Sequence, residues 1–124
     1  MPPPALDGRF VDALARHGGT PAAIAPALAE WFASDDYRGC AFLNSVSELG
    51  PALPGVLESA RRHKLEMTAA VARLMKPAPD RARLARALAL AIDETIVQTQ
   101  YLASPGAAVA ALAFVTKALE RGRA

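Results

Sequence analysis

Apolar side chains recur at every third or fourth position through most of this chain, which is the spacing of amphipathic α-helices. The clearest run lies between residues 56 and 76, where one narrow sector carries Val56, Ala60, His63, Met67, Val71 and Leu74. Charged residues occupy the rest of that circumference. The pattern therefore predicts a long helix here that packs one face against a core.

Five further helices are predicted from the same periodicity and from the turn residues between them. They cover about 6–17, 21–33, 40–49, 81–103 and 106–120. Gly18 and Gly19 are expected to end the first, because glycine adopts the left-handed cap conformation readily. Thr20 and Asp80 are expected to cap the helices that follow them. The sequence thus predicts an all-α fold of about six helices.

The last predicted helix is apolar around its whole circumference. Between Ala107 and Leu119 only Thr116 and Lys117 are polar. Such a helix must be covered on both sides, and a small domain can cover one of them itself. A second copy of the chain is predicted to cover the other. The expected dimer contacts are Ile96, Ala107, Ala111, Phe114 and Ala118.

Composition narrows the classes of function. The chain has 124 residues, 52% of them hydrophobic and mostly alanine, which suits one helical domain with a core. A net charge of +2 from scattered arginines gives little support for nucleic-acid binding. The single cysteine, Cys40, excludes an intrachain disulfide. Without an apolar run of membrane-spanning length or a signal peptide, we expect a soluble, cytoplasmic protein without membrane contact.

Two pairs of residues have the chemistry of a reactive or metal site. Cys40 and His63 have the types of a nucleophile and its base, but nothing supplies a recognisable orienting acid. His63 and Glu66 have a spacing that offers two ligands from one helical turn, but the chain holds only one further histidine. We therefore predict no enzyme activity, no metal and no cofactor.

His63 stands out because it lies on an apolar stripe. It is either a core histidine held by hydrogen bonds or a polar anchor inside an otherwise apolar ligand pocket. Threonines on the fifth predicted helix raise the same question, since each hydroxyl can also bond to its own helix. If a pocket exists, its predicted lining is Trp31, Phe42, Asn44, His63, Met67, Val71, Thr95 and Thr99.

The most informative local motif is Tyr-Arg-Gly-Cys-Ala-Phe-Leu-Asn-Ser at 37–45, which follows Ala-Glu-Trp-Phe at 29–32. It resembles the C-terminal effector-binding domain of tetracycline-repressor (TetR) family regulators, and the likeness covers roughly residues 20–121. The Arg-His-Lys stretch at 62–64 adds to it. The resemblance implies an all-helical domain at 20–124, preceded by a lead and one helix at 1–19. Such domains dimerise through their last two helices as a four-helix bundle and enclose a small-molecule cavity.

The helix-turn-helix half of these regulators has no counterpart in this sequence. The resemblance therefore implies a homodimerising domain that senses a small apolar or amphipathic effector and does not itself bind DNA. An alternative is a partner that forms mixed dimers with a full-length regulator and antagonises it by removing one DNA-reading head. A small helical enzyme is the least supported alternative, because no catalytic constellation is visible.

Overall fold

Helices account for nearly all of residues 8–34, 54–102 and 105–122, which are the residues that the computed structural model describes. The helices are α1 (Gly8–Arg16), α2 (Ile24–Ala33), α3 (Pro54–Ala72), α4 (Arg81–Tyr101) and α5 (Pro105–Arg121). A 3-10 turn at Pro21–Ala23 leads into α2. No strand occurs within these ranges, so the predicted all-α class is confirmed for them. The helix predicted at 40–49 lies outside the described residues.

The end of α1 follows the sequence prediction. Gly18 and Gly19 both have positive φ, 111° and 67°. The N–H of Gly19 donates to the carbonyl of Leu14 at 2.9 Å, and that of Gly18 to Ala15 at 3.1 Å. This pair of hydrogen bonds is a Schellman cap, which satisfies carbonyls that the helix end would otherwise leave open.

The predicted side-chain caps at Thr20 and Asp80 are wrong. Neither side chain makes a capping hydrogen bond. Asp80 already has helical backbone angles, φ −90° and ψ −4°, whereas a capping side chain needs an extended residue. Thr20 is extended, but its carbonyl closes a 3-10 turn by accepting the N–H of Ala23 at 2.8 Å. Proline at the first position starts that turn, since its missing N–H would be unsatisfied there anyway.

α3 is shorter at its C-terminal end than the periodicity predicts. It ends at Ala72, and Leu74 and Met75 each donate to the carbonyl three residues earlier at 3.0 Å. This tightened last turn is a common way to end a helix. The Nε of Arg81 donates to the carbonyl of Ala72 at 2.7 Å. A side chain from the first residue of α4 thereby provides a hydrogen-bond donor for a carbonyl at the end of α3.

The helices pack as a row in the order α3, α4, α5, α2 and α1, each against its neighbour in that order. The largest fully buried side chains are Ile24, Leu28, Met67, Val71, Leu88, Ile92, Ile96 and Leu112. They come from α2, α3, α4 and α5, so one core joins these four helices. None of the described helices combines the length and the apolar character that crossing a bilayer requires.

Candidate functional site

One side of α5 faces the core. Ala108, Leu112 and Thr116 are buried at successive four-residue steps, which places them on one stripe of the helix. The hydroxyl of Thr116 donates to the carbonyl of Leu112 at 2.9 Å. Because this polar group is satisfied within its own helix, the stripe packs against α2 and α4 as an apolar surface.

The opposite side of α5 is apolar and exposed. Ala107, Ala111, Phe114 and Ala118 lie at i, i+4, i+7 and i+11, and all four are exposed. We name these four residues the α5 outer face. The Phe114 side chain is 75% exposed among alanines. A large aromatic side chain in a continuous apolar surface marks an interaction site more often than scattered apolar residues do.

Ile96 does not belong with these residues, although the sequence pattern predicts it at the dimer interface. It is 0% exposed in the single chain. Together with Leu88 and Ile92 it forms the i, i+4, i+8 stripe of α4 that faces the chain's own core. Its side chain is therefore unavailable to a partner.

The exposed side of α4 carries apolar residues that are not among the predicted dimer contacts. Leu90 is 72% exposed. It lines an open cavity of about 430 Å³ together with Ala87, Ala91 and Val97, with Asp93 and Glu94 at its edge. The signal was present in the sequence, because Leu90 lies on the side of the helix opposite the Leu88–Ile92 stripe.

The residues predicted to line a ligand pocket are mostly packed into the core. His63, Met67, Val71 and Thr95 are all buried. Met67 and Val71 belong to the same hydrophobic core cluster as Trp31. Phe42 and Asn44, like Cys40, lie outside the described residues.

The two threonines of α4 are satisfied within their own helix. The hydroxyl of Thr95 donates to the carbonyl of Ala91, and that of Thr99 to the carbonyl of Ile96, each at 2.7 Å. This is the local alternative left open by the sequence. Four of the cavities lined by described residues include none of His63, Met67, Val71, Thr95 and Thr99.

His63 is the most deeply buried ionisable side chain among the described residues, at 2% exposure. Burial, together with a smaller contribution from the positive charge of neighbouring Lys64, lowers its pKa from the ordinary 6.5 to about 4. The imidazole is therefore neutral at pH 7. Lys64 itself lies at the edge of the core, where its Nζ is 2.7 Å from the Asp93 carboxylate and joins α3 to α4.

A separate cavity of about 300 Å³ lies between α1 and α2, and Trp31 lines it. Arg16 and Glu30 bridge the two helices at its edge with two hydrogen bonds of 2.7 and 3.0 Å. The His17 Nε2 lies 3.3 Å from the same carboxylate. The hydrogen bond from Arg16 is the main cause that holds the pKa of Glu30 below its ordinary value.

Within the described ranges, no group of three or more His, Cys, Asp or Glu side chains is arranged to hold a metal ion. Comparisons with protein-family models, with curated proteins and with solved structures find no match to this chain. The case for function therefore depends on the two surfaces described above, the α5 outer face and the cavity between α1 and α2.

Proposed function

We propose that this chain is a dimerisation and effector-binding domain of the TetR type, and that two copies associate through α4 and α5 around a two-fold axis. The observation that carries the proposal is the α5 outer face. An exposed phenylalanine among alanines, opposite a buried stripe on the same helix, is what the monomer would present if a second helix normally covered it.

The composition of this face suits contact between helices. Alanine at Ala107, Ala111 and Ala118 allows two helix axes to approach to about 8 Å, the near end of the usual range. Phe114 then supplies most of the apolar area. Complete burial of a phenylalanine side chain contributes about 1.5–3 kcal/mol. In a two-fold symmetric dimer both copies of Phe114 are buried, so this contribution counts twice, because each chain presents the same patch to the other.

We propose that α4 contributes to the same interface. It packs directly against α5, and Leu90 and Val97 lie on its outer side. Two helices from each copy would form a four-helix bundle, in which the core positions are filled by residues from facing helices. Stable apolar interfaces between identical chains commonly bury about 2,000 Å² or more in total, which one helix pair alone does not supply.

The experiment that tests this proposal is sedimentation equilibrium of the purified chain at micromolar concentration. The expected mass is twice the chain mass of 13.0 kDa, with no dependence on moderate salt because the face is apolar. A folded species of 13.0 kDa at tens of micromolar would contradict the proposal. Folding is checked in the same samples by helical circular dichroism.

A further inference from the structure

The cavity between α1 and α2 has an apolar floor. Phe10, Ala13, Ala27 and Trp31 line it, and all four are buried in the core. Two aromatic rings and two small side chains leave a space of about 300 Å³. This is the lower end of the volumes of small-molecule pockets, about 300–1,000 Å³, and such pockets are mostly apolar.

The rim of this cavity is charged but balanced. Arg9, Asp12, Arg16 and Glu30 line it, so two positive side chains face two negative ones. Arg16 and Glu30 already neutralise each other through their paired hydrogen bonds. A charged ligand would lose its hydration on entering and meet no net opposite charge in return. An uncharged ligand avoids that cost.

The two walls are linked by hydrogen bonds at the rim. Arg16 and Glu30 make a two-point contact between α1 and α2, and such planar contacts fix orientation as well as distance. At the end of α2 the hydroxyl of Ser34 donates to the Trp31 carbonyl at 2.7 Å. A preformed cavity costs less to occupy than one that must be opened.

We infer that this cavity binds a small uncharged aromatic compound, whose rings lie against Trp31 and Phe10. The inference deepens the effector-binding part of the proposed function by naming a site and a ligand class. It is separable from dimerisation, because every lining residue belongs to α1, α2 or Ser34 directly after it, and none belongs to α4 or α5. Stacking and edge contacts between aromatic rings would supply the affinity and the preference for flat molecules.

The test uses two fluorescent probes that share one ring system, namely uncharged N-phenyl-1-naphthylamine and its sulfonated analogue 8-anilinonaphthalene-1-sulfonate. Trp31 is the only tryptophan of the chain, so energy transfer from it reports a probe bound nearby. We expect saturable binding of one uncharged probe per chain and at least ten-fold weaker binding of the sulfonate. No saturable binding to the folded chain, or tighter binding of the sulfonate, would overturn the inference.

Variants locate the bound probe. Ala27→Leu fills the floor and should weaken binding at least ten-fold, whereas Ala22→Leu, in the groove between α2 and α5, should leave it unchanged. If Ala27→Leu does not fold, Asp12→Phe at the exposed rim should show the same loss. Equal binding by the cavity-filling and control variants would overturn the assignment.

A third variant separates this site from the dimer. Phe114→Glu, which removes the apolar side chain from the α5 outer face, should bind the uncharged probe as the unmodified chain does. Loss of binding in that variant would place the probe at the α5 outer face and overturn the inference. Failure of the proposed dimer would leave the titration of the cavity unchanged, so the two failures are distinguishable.

Discussion

If the proposed dimer forms, replacing Phe114 by glutamate is expected to convert it into a monomer without unfolding the chain. The ring is 75% exposed in the single chain, so the monomer does not depend on it. In the dimer the same position would be covered by apolar surface, and a carboxylate there would be buried without a partner. We expect the dissociation constant to rise by at least about 100-fold, which corresponds to roughly 2.7 kcal/mol. Sedimentation velocity measures the change.

The matched control is Leu65→Glu on α3. Leu65 is also a large apolar residue, 61% exposed, but it lies on a helix outside the proposed interface. This variant should remain dimeric, and circular dichroism should show the same helix content for both variants. A dimeric Phe114→Glu protein, or equal dissociation by both substitutions, would show that α5 does not form the interface.

Acidification should destabilise the fold through His63. Its folded-state pKa of about 4 lies below the ordinary 6.5, so the unfolded chain binds more protons between these two values. The free energy of unfolding must then fall as the pH decreases through that window. The contribution of neutral His63 to the free energy of unfolding is fully present above pH 6.5. It decreases between pH 6.5 and pH 4, and the decrease levels off below pH 4. From these values the loss between pH 7.5 and pH 5 is about 2 kcal/mol.

Urea denaturation at the two pH values, with the protein concentration held constant, measures this difference. His63→Gln should remove most of the difference, because a glutamine does not titrate. The control is His17→Gln, since His17 is the other histidine of the chain and lies on the surface. The His17→Gln variant should show the same decrease in the free energy of unfolding between the two pH values as the unmodified protein. If His63→Gln shows the same pH dependence as the unmodified protein, burial of His63 is not its cause.

The sequence predicts the helices well because their signal is local. Along α3, Ala60, His63, Met67 and Val71 were assigned to one buried face by spacing alone, and all four are buried. The end of α1 at Gly18 and Gly19 was equally predictable, because glycine is the residue type that adopts positive φ without a steric cost. The caps at Thr20 and Asp80 failed for a different reason. A capping bond depends on the backbone angles of the residue and on the helix that follows it. Asp80 has helical angles, and Thr20 is extended but precedes a 3-10 turn; residue type determines neither feature.

For the proposed dimer interface, the sequence predicts some residues correctly and others not. Helical spacing shows in which direction a side chain points, so the exposure of Ala107, Ala111, Phe114 and Ala118 follows from it. Spacing does not show which neighbouring helix occupies that direction, and for this reason Ile96 was assigned to a partner.

Cavities are still harder to predict from the sequence, because their size and position depend on how closely the helices approach one another. Trp31 was expected to meet α3 across a ligand pocket. It does join Met67 and Val71 in the core, but the cavity beside it opens toward α1. The short first helix carried no motif that marked it as a wall of a site.

The distance between two copies of one position on α5 tests the proposed interface most directly. Cys40 is the only cysteine, so a Cys40→Ser, Ala110→Cys chain carries one nitroxide label per copy. Ala110 is exposed and borders the α5 outer face. Pulsed electron paramagnetic resonance should give one narrow distance of about 20–35 Å, which is two to three helix diameters. The same label at Leu65→Cys should give a longer distance. No dipolar signal from Ala110→Cys, or a shorter distance at Leu65→Cys, would contradict a dimer formed through α5.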